Sequence, residues 1–496
     1  MKARLIRFAF ALHRWSGVVL GLLMFMWCLS GIVMIWQPEF PSVTLGSRDY
    51  RTEGLAPIAL PEKVALPEVP ADASISSARI EMMGSRAAIS LAWDGGRGVF
   101  DLATGQKIEK IGEAEALDIA GAYVSRHRIT GEPSIKNLSE RDEFTVSGYF
   151  NSGRPYWQVR LNDSEKTMLY ISSVTGDVRQ RTTESLRWVS WFGAIPHWLY
   201  FTELRKDGPL WTQVIIWTSL AGCFLTVLGL FVGIRQFRRR HSTGKLSSPY
   251  RGAKLWHHML GLVFGVLVLT WTFSGFASMN PWGWLESGPA VGEAFDRMTG
   301  KPVTWSAVRP AIETQTAALR VGEGDVVQLS LAQLEGQVFF VRRHSDGSRE
   351  RVGADGSPAP FDEAARKRAA DLLAGKPNAA QVELLNTEDD YYYRGSAASD
   401  FPIVRIIVPE ADDTRFYLDP VSGELRFAAD PGARGFRWLH LGLHRVDFFG
   451  WLRVRPLWDI VIVALMLGVT GVCGLGAYMG IRKLARGGKL DNQPTD

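Results

Sequence analysis

Cysteine is scarce. The 496 residues hold three, Cys28, Cys223 and Cys473, and all fall inside long apolar runs. The polar stretches between those runs have none, so no disulfide framework staples them. No CxxC or CxxCH spacing exists for a redox motif or a covalently attached haem. Also missing are a nucleophile elbow, a zinc cluster, a phosphate loop, and a flavin or nicotinamide fingerprint. Acid is missing from one stretch: 235–254 carries Arg235, Arg238, Arg239, Arg240, Lys245, Arg251 and Lys254 with no Asp or Glu. The net charge of +5 is too small to argue for nucleic acid as a partner.

Long apolar runs are what the chain does have. Four, at 9–36, 210–234, 257–279 and 457–480, are long enough to cross a bilayer. Lys2, Arg4 and Arg7 precede the first, the basic stretch separates the second and third, and Arg482, Lys483, Arg486 and Lys489 follow the fourth. The positive-inside rule then places both termini and the middle connection in the cytoplasm. The first run is too long for a signal peptide and lacks a small-residue cleavage site, so it reads as an uncleaved anchor. The expected layout is a cytoplasmic start and first span (1–36), an outer domain (37–209), a span (210–234), a cytoplasmic basic loop (235–254), a span (255–279), a second outer domain (280–456), a span (457–481) and a cytoplasmic tail (482–496). Thiols inside spans read as buried structural groups.

The chain repeats itself. A shift of 244 lays His13 on His257, Gly17 on Gly261, Gly21 on Gly265, Trp27 on Trp271 and Ser30-Gly31 on Ser274-Gly275. A shift of 247 lays "LYISSVTGDV" on "FYLDPVSGEL", His197 on His444, and "PLW" and "GIR" on themselves. The expected fold is an integral membrane α-helical bundle of four spans, made by internal duplication, with two outer α/β domains. Parallel repeats imply a pseudo-twofold axis along the membrane normal. In the outer segments, short alternating runs broken by turn dipeptides read as strands, with helices near 113–126 and 361–374 between them.

Of nine histidines, His127, His344 and His241 lie in charged surroundings and read as surface residues. The other six, His13, His257, His258, His197, His440 and His444, sit at or just outside the span ends. One interfacial histidine needs no explanation. Two repeated pairs, His13/His257 towards the inner face and His197/His444 towards the outer, point to ligation. Zinc wants three or four converging ligands. Two imidazoles from opposite sides of an axis suit a haem iron, whose equatorial positions the porphyrin fills. Gly17 and Gly21, and Gly261 and Gly265, follow the inner histidines on roughly the same helix face and leave a groove for a macrocycle, or else allow close helix contact. His258 stands where the other half has Arg14, and His440 where it has Gly193. Arg14 and His258 are candidates for haem propionates at the inner site, and Arg187, Arg437 and Arg445 at the outer. His440, one turn from His444, is its rival as a ligand. Two haems across a bilayer would move electrons through it, with Trp27 and Trp271 as relay or as packing.

The segments "LHRWSGVVLGLLMFMWCLSGIV", "AIPHWLYFTELRKDGPLW" and "WLHLGLHRVDF…RPLWD" resemble the PepSY-associated transmembrane helix family over nearly the whole chain. The resemblance implies PepSY-like domains in the periplasm, anchored in a bacterial inner membrane. Each outer segment is long enough for two PepSY-like units. Some members of the family are di-haem b reductases that release iron from ferric siderophores. Carried over, this implies two haem b groups, a separate electron donor (quinol or a cytoplasmic reductase), and a ferric siderophore or other ferric chelate as acceptor. Trp191, Trp198, Arg437 and Arg445 would be substrate contacts, with "DDYYYRG" at 389–395 a candidate loop. The competing expectations are a non-redox anchor whose domains bind a peptidase or sense the envelope, and a di-haem protein with another redox protein as acceptor.

Overall fold

The computed structural model describes residues 2–36, 55–239, 246–321, 324–393 and 401–485. Arg240, His241 and Lys245 of the basic connection, Arg486 and Lys489 of the tail, and residues 394–395 lie outside them. Among the described residues, four helices are long and apolar enough to cross a membrane: a first span (Lys2–Met34), a second (Gly208–Gln236), a third (Ala253–Ser278) and a fourth (Leu457–Ala485). The second begins at Gly208, two residues before the expected 210. The Asp207 carboxylate accepts the Leu210 N–H at 2.9 Å and Pro209 occupies the first turn.

Glycine sets how closely the spans approach. A methyl group at Gly21 would stand 3.5 Å from the Ala477 backbone, and one at Gly480 would stand 3.3 Å from Val18 Cα, so the first and fourth spans meet nearly backbone to backbone. One at Gly265 would stand 2.6 Å from Leu230 of the second span. Gly21 and Gly265 therefore serve close helix contact. The spans and the segments beside them form one compact unit: Met1–Phe40, Trp188–Leu285 and Gly435–Asp496.

The other unit comprises Pro41–Arg187 and Glu286–Arg434. Its first segment supplies β1 (Ser74–Met83), β2 (Arg86–Trp93), β3 (Gly96–Asp101), β4 (Ser134–Ser139), β5 (Tyr156–Arg160), β6 (Met168–Ser172) and β7 (Val178–Thr182). A two-residue ladder, β8 (Arg238–Arg239) with β9 (Leu246–Ser247), lies between the second and third spans. The later segment supplies β10 (Val303–Thr304), β11 (Val326–Leu334), β12 (Gln337–His344), β13 (Arg349–Gly353), β14 (Gln381–Leu385), β15 (Ile403–Val408), β16 (Thr414–Leu418) and β17 (Leu425–Ala429).

The two segments are not separate domains. Their first strands share one sheet, ordered β13-β12-β11-β1-β2-β3, with β10 on the start of β1. At the junction β1 runs antiparallel to β11, pairing Arg79 with Ser330, Ile80 with Leu329 and Glu81 with Gln328. Gln328 Nε2 donates to the buried Glu81 carboxylate at 2.7 Å, and Arg79 reaches the same carboxylate at 2.9 Å. Ile80 and Leu329 anchor a core that draws on both segments and packs under the helix Trp305–Val321. Of two smaller sheets, β4-β5-β6-β7 packs against the helix Glu113–His127, and β14-β15-β16-β17 shares a core with the helices Glu363–Ala374 and Pro289–Thr299. Separate domains were expected because alternation within strands says nothing about which edge finds which partner.

Three local expectations also change. His127 and His344 are half-buried, His127 against the Tyr123 ring at 4.2 Å and His344 bonded to Asp325 at 2.9 Å. The tyrosine-rich stretch is core: Tyr392 and Tyr393 are buried, and Tyr392 stacks on Tyr417 at 4.9 Å. Asp389 ties it down by accepting from Tyr417 and Arg405, each at 2.7 Å.

Ile80→Ala or Leu329→Ala should each cost about 2–5 kcal/mol, and the double variant less than their sum because the side chains are neighbours. Chemical denaturation in detergent followed by tryptophan fluorescence measures this; separate domains would give additive costs.

Candidate histidine-pair site

His13 is a residue of the first span and His257 of the third, while His197 and His444 lie on short helices outside the spans, Ala194–Trp198 and Leu443–Arg445. The structure brings them together as pairs. The His13 and His257 rings have centroids 6.4 Å apart, and His197 and His444 have theirs 5.9 Å apart. A metal–imidazole bond is about 2.0–2.1 Å, so two imidazoles on opposite sides of one metal hold their ring centres roughly 6.3 Å apart. Both pairs have that spacing.

The hydrogen bonds decide which nitrogen carries the proton. His13 Nδ1 lies 3.2 Å from Leu225 O, and His257 Nδ1 lies 3.0 Å from Val472 O. A carbonyl only accepts, so Nδ1 carries the proton and Nε2 keeps its lone pair. The second pair repeats this. His197 Nδ1 donates to Trp27 O at 3.1 Å, with Ser30 Oγ also at 3.1 Å. His444 Nδ1 lies 2.8 Å from Ser274 Oγ, whose own hydroxyl is spent on Trp271 O, and it also bonds the Trp271 backbone. Burial pushes His197 down to about 4 and His444 well below its ordinary value. All four are thus neutral imidazoles with a tethered Nδ1 and a free Nε2, the form in which histidine binds metal.

Glycine makes these tethers possible. In a helix the side chain of residue i+4 lies back over the carbonyl of residue i. Four residues after Leu225, Val472 and Trp27 come Gly229, Gly476 and Gly31. A methyl group there would stand 2.7 Å from His13 Cε1, 3.3 Å from His257 Cε1 and 3.4 Å from His197 Cε1. Gly275 holds the same place after Trp271, but a methyl group there would meet only Ser219 Oγ, at 3.9 Å, and not His444. The carbonyls were not foreseen. The signal available was that Gly229 and Gly476, like Leu225 and Val472, are 247 apart. The repeated "PLW" has a comparable use: the Trp211 indole donates to Trp198 O at 2.9 Å, and Trp458 to Arg445 O at 2.7 Å. Each pins a histidine-bearing turn to a span.

The other candidates separate clearly. His258 is buried with both nitrogens engaged, Nε2 donating to Gly233 O at 2.8 Å and Nδ1 accepting from Ser248 at 2.7 Å. It ties the connection to the helix ends and has nothing left for iron or a propionate. His440 sits in a π-helical turn, Arg437–Gly442, with its ring centroid 5.4 Å from that of His444 and its Nδ1 donating to Ser274 O at 3.0 Å. Burial lowers it to about 4, and its Nε2 is also free of hydrogen bonds. Arg437 is buried against Asp447 at 2.8 Å, so it is no surface contact. Arg187 is spent on Thr182 and Lys166. Arg14 and Trp191 are exposed, while Arg445 and Trp198 are half-buried. A methyl group at Gly261 would meet nothing within 4 Å, and one at Gly17 only Leu225 at 3.9 Å, so both glycines of the first pair border open space. No group of three or more His, Cys, Asp or Glu among the described residues converges as a metal cage.

The family model of the PepSY-associated TM region matches residues 10–483. The chain belongs to that family. No curated protein matches it. For a PepSY-associated membrane protein, tethered histidine pairs are more than anchoring requires.

Asp447→Ala should destabilise the protein by about 3–5 kcal/mol by stranding the buried Arg437 charge. Thermal unfolding followed by helical circular dichroism checks this; an unchanged midpoint would mean that the pair is solvated.

Proposed function

We propose that the chain is a di-haem b protein of the bacterial inner membrane that carries electrons outward to a ferric siderophore or another ferric chelate. The observation that carries this reading is the pair geometry: two pairs of neutral imidazoles with ring centres 6.4 and 5.9 Å apart, a spacing at which each pair would hold one haem iron. Further support comes from the open space at Gly17 and Gly261, which a flat macrocycle would use. Bound haem supplies a one-electron couple. The protein's part is to hold each imidazole by its Nδ1–H.

Along the first span, Trp27, whose carbonyl tethers His197, lies 14 residues beyond His13, about 21 Å at 1.5 Å per residue. Trp27 and its counterpart Trp271 lie between the pairs. Both indole N–H groups are buried without a hydrogen-bond partner, which suits a relay or spacer in a dry interior. Charge in the short flanks orients the His13/His257 pair towards the cytoplasm and the sheet unit towards the periplasm. Electrons would enter from a separate quinol or cytoplasmic reductase. Trp191, Trp198 and Arg445 remain the acceptor contacts. Internal duplication explains why tether, glycine and histidine recur at shifts of 244 and 247. A non-redox anchor would have no use for closely spaced imidazole pairs with free Nε2 atoms.

Oxidised and dithionite-reduced absorption spectra of the purified protein test this first. A low-spin b-type spectrum near two haems per chain is expected, and a colourless protein after expression with added haem would overturn the reading. His13→Ala or His257→Ala should remove one haem and spare the other, with His197→Ala or His444→Ala doing the reverse. Gly261→Leu, whose Cβ meets nothing within 4 Å, should lower the content towards one haem while leaving the thermal unfolding of the haem-free protein unchanged.

A further inference from the structure

Outside the histidine pairs, the end of the bundle where the first span begins and the fourth finishes holds charge that nothing balances. The two helices meet there in one register: Gly21 against Ala477, Val18 against Gly480, then Trp15 against Lys483, whose ammonium is 4.0 Å from the centre of a Trp15 ring. That ammonium is buried and makes no hydrogen bond among the described residues. The indole face attracts it but offers no hydrogen-bond acceptor. Arg14, beside Trp15, is exposed and adds a second positive charge that repels the first. Arg482, also exposed, donates to the neutral Tyr478 hydroxyl at 3.0 Å. The one acid in these two helices, Asp459, is at the opposite end of the fourth. A buried ammonium without an acceptor is costly, so the site calls for an anion.

The other half of the chain shows that packing does not require these residues. By the same shifts, Trp15, Arg14 and Lys483 correspond to Met259, His258 and Gln236. There the chain closes over its own end: His258 is buried, bonded to Gly233 O and Ser248, with the Tyr250 ring 5.3 Å away. On the first span, by contrast, Trp15 is exposed, and so are Val19 and Leu22, four and seven residues on and therefore on the same helix face. An apolar track thus leads away from the cations along the helix.

We propose that Lys483, Arg14 and Trp15 form a binding site for an anionic phospholipid between the first and fourth spans. The lipid phosphate accepts from the Arg14 guanidinium and from the Lys483 ammonium, which the flexible lysine stem turns from the ring towards it. An acyl chain lies over Val19 and Leu22, and the Trp15 indole stands at headgroup depth. Free phosphate would meet the same cations but leave the apolar track uncovered. The site needs no haem and stands apart from the function proposed above.

The test uses the full chain, delipidated in detergent and titrated with phosphatidylglycerol or with phosphatidylethanolamine of the same acyl chains. Native mass spectrometry reads the bound lipid. The anionic lipid should bind more tightly than the zwitterionic one. Lys483→Gln and Arg14→Gln should each weaken the first phosphatidylglycerol about fivefold, the effect of one positive charge beside an anionic lipid. Lys483→Arg should keep the affinity, as should Arg251→Gln in the connection. Equal affinity for the two lipids, or the same loss in Arg251→Gln, would overturn the proposal. Should a variant fail to fold, the wild-type chain answers the same question through acetylation by an N-hydroxysuccinimide ester, read by peptide mass. Phosphatidylglycerol should protect Lys483, whereas phosphatidylethanolamine and sodium phosphate should not; equal labelling under all three conditions would overturn the proposal.

Discussion

The bundle is organised around one hydrogen bond made four times, an imidazole N–H to a helix carbonyl, and at His13, His257 and His197 a glycine four residues on leaves that carbonyl uncovered. A helix carbonyl already accepts from within its own helix, but its second lone pair is reachable wherever no side chain lies over it. Using that lone pair fixes the tautomer, the ring plane and the direction of Nε2 together. It also explains neutral histidine in apolar surroundings, since the one donor of the ring is satisfied and no charge is buried. Tether, glycine and histidine recur as a set, so the symmetry of the site is a symmetry of backbone contacts.

Much of this was legible in the residues. Spans declare themselves by length and apolarity, and the nearly constant shift between halves singled out His13, His257, His197 and His444 from nine histidines. The tethers were not legible, because His13 and Leu225 are 212 residues apart and His257 and Val472 are 215 apart. No local pattern specifies which carbonyl an imidazole will find. His258 shows the same limit from the other side: adjacent to His257 in sequence, it takes the opposite tautomer because Gly233 O and Ser248 happen to flank it.

Arg437 and the tyrosine-rich stretch teach a related lesson. Residue type suggested a surface role for both, cationic at Arg437 and aromatic at Tyr392 and Tyr393. Arg437 instead pairs with Asp447, and the tyrosine-rich stretch is held by Asp389, which accepts from the Tyr391 and Tyr392 backbone N–H groups. In Arg437 the partner is only ten residues away but beyond a π-helical turn, which shifts the facing of every later side chain and defeats a count by 3.6.

The shared sheet has a consequence for how the molecule is made. β1 emerges early, but β11, which covers its edge, follows only after the second and third spans. At about 5–20 residues per second, the intervening chain takes on the order of ten to fifty seconds to synthesise. Throughout that interval β1 presents an open edge and half of an apolar core, the kind of surface on which chains pair with the wrong neighbour. Biogenesis of this protein therefore has a waiting stage, in which the first segment must be held apart until its own second half arrives.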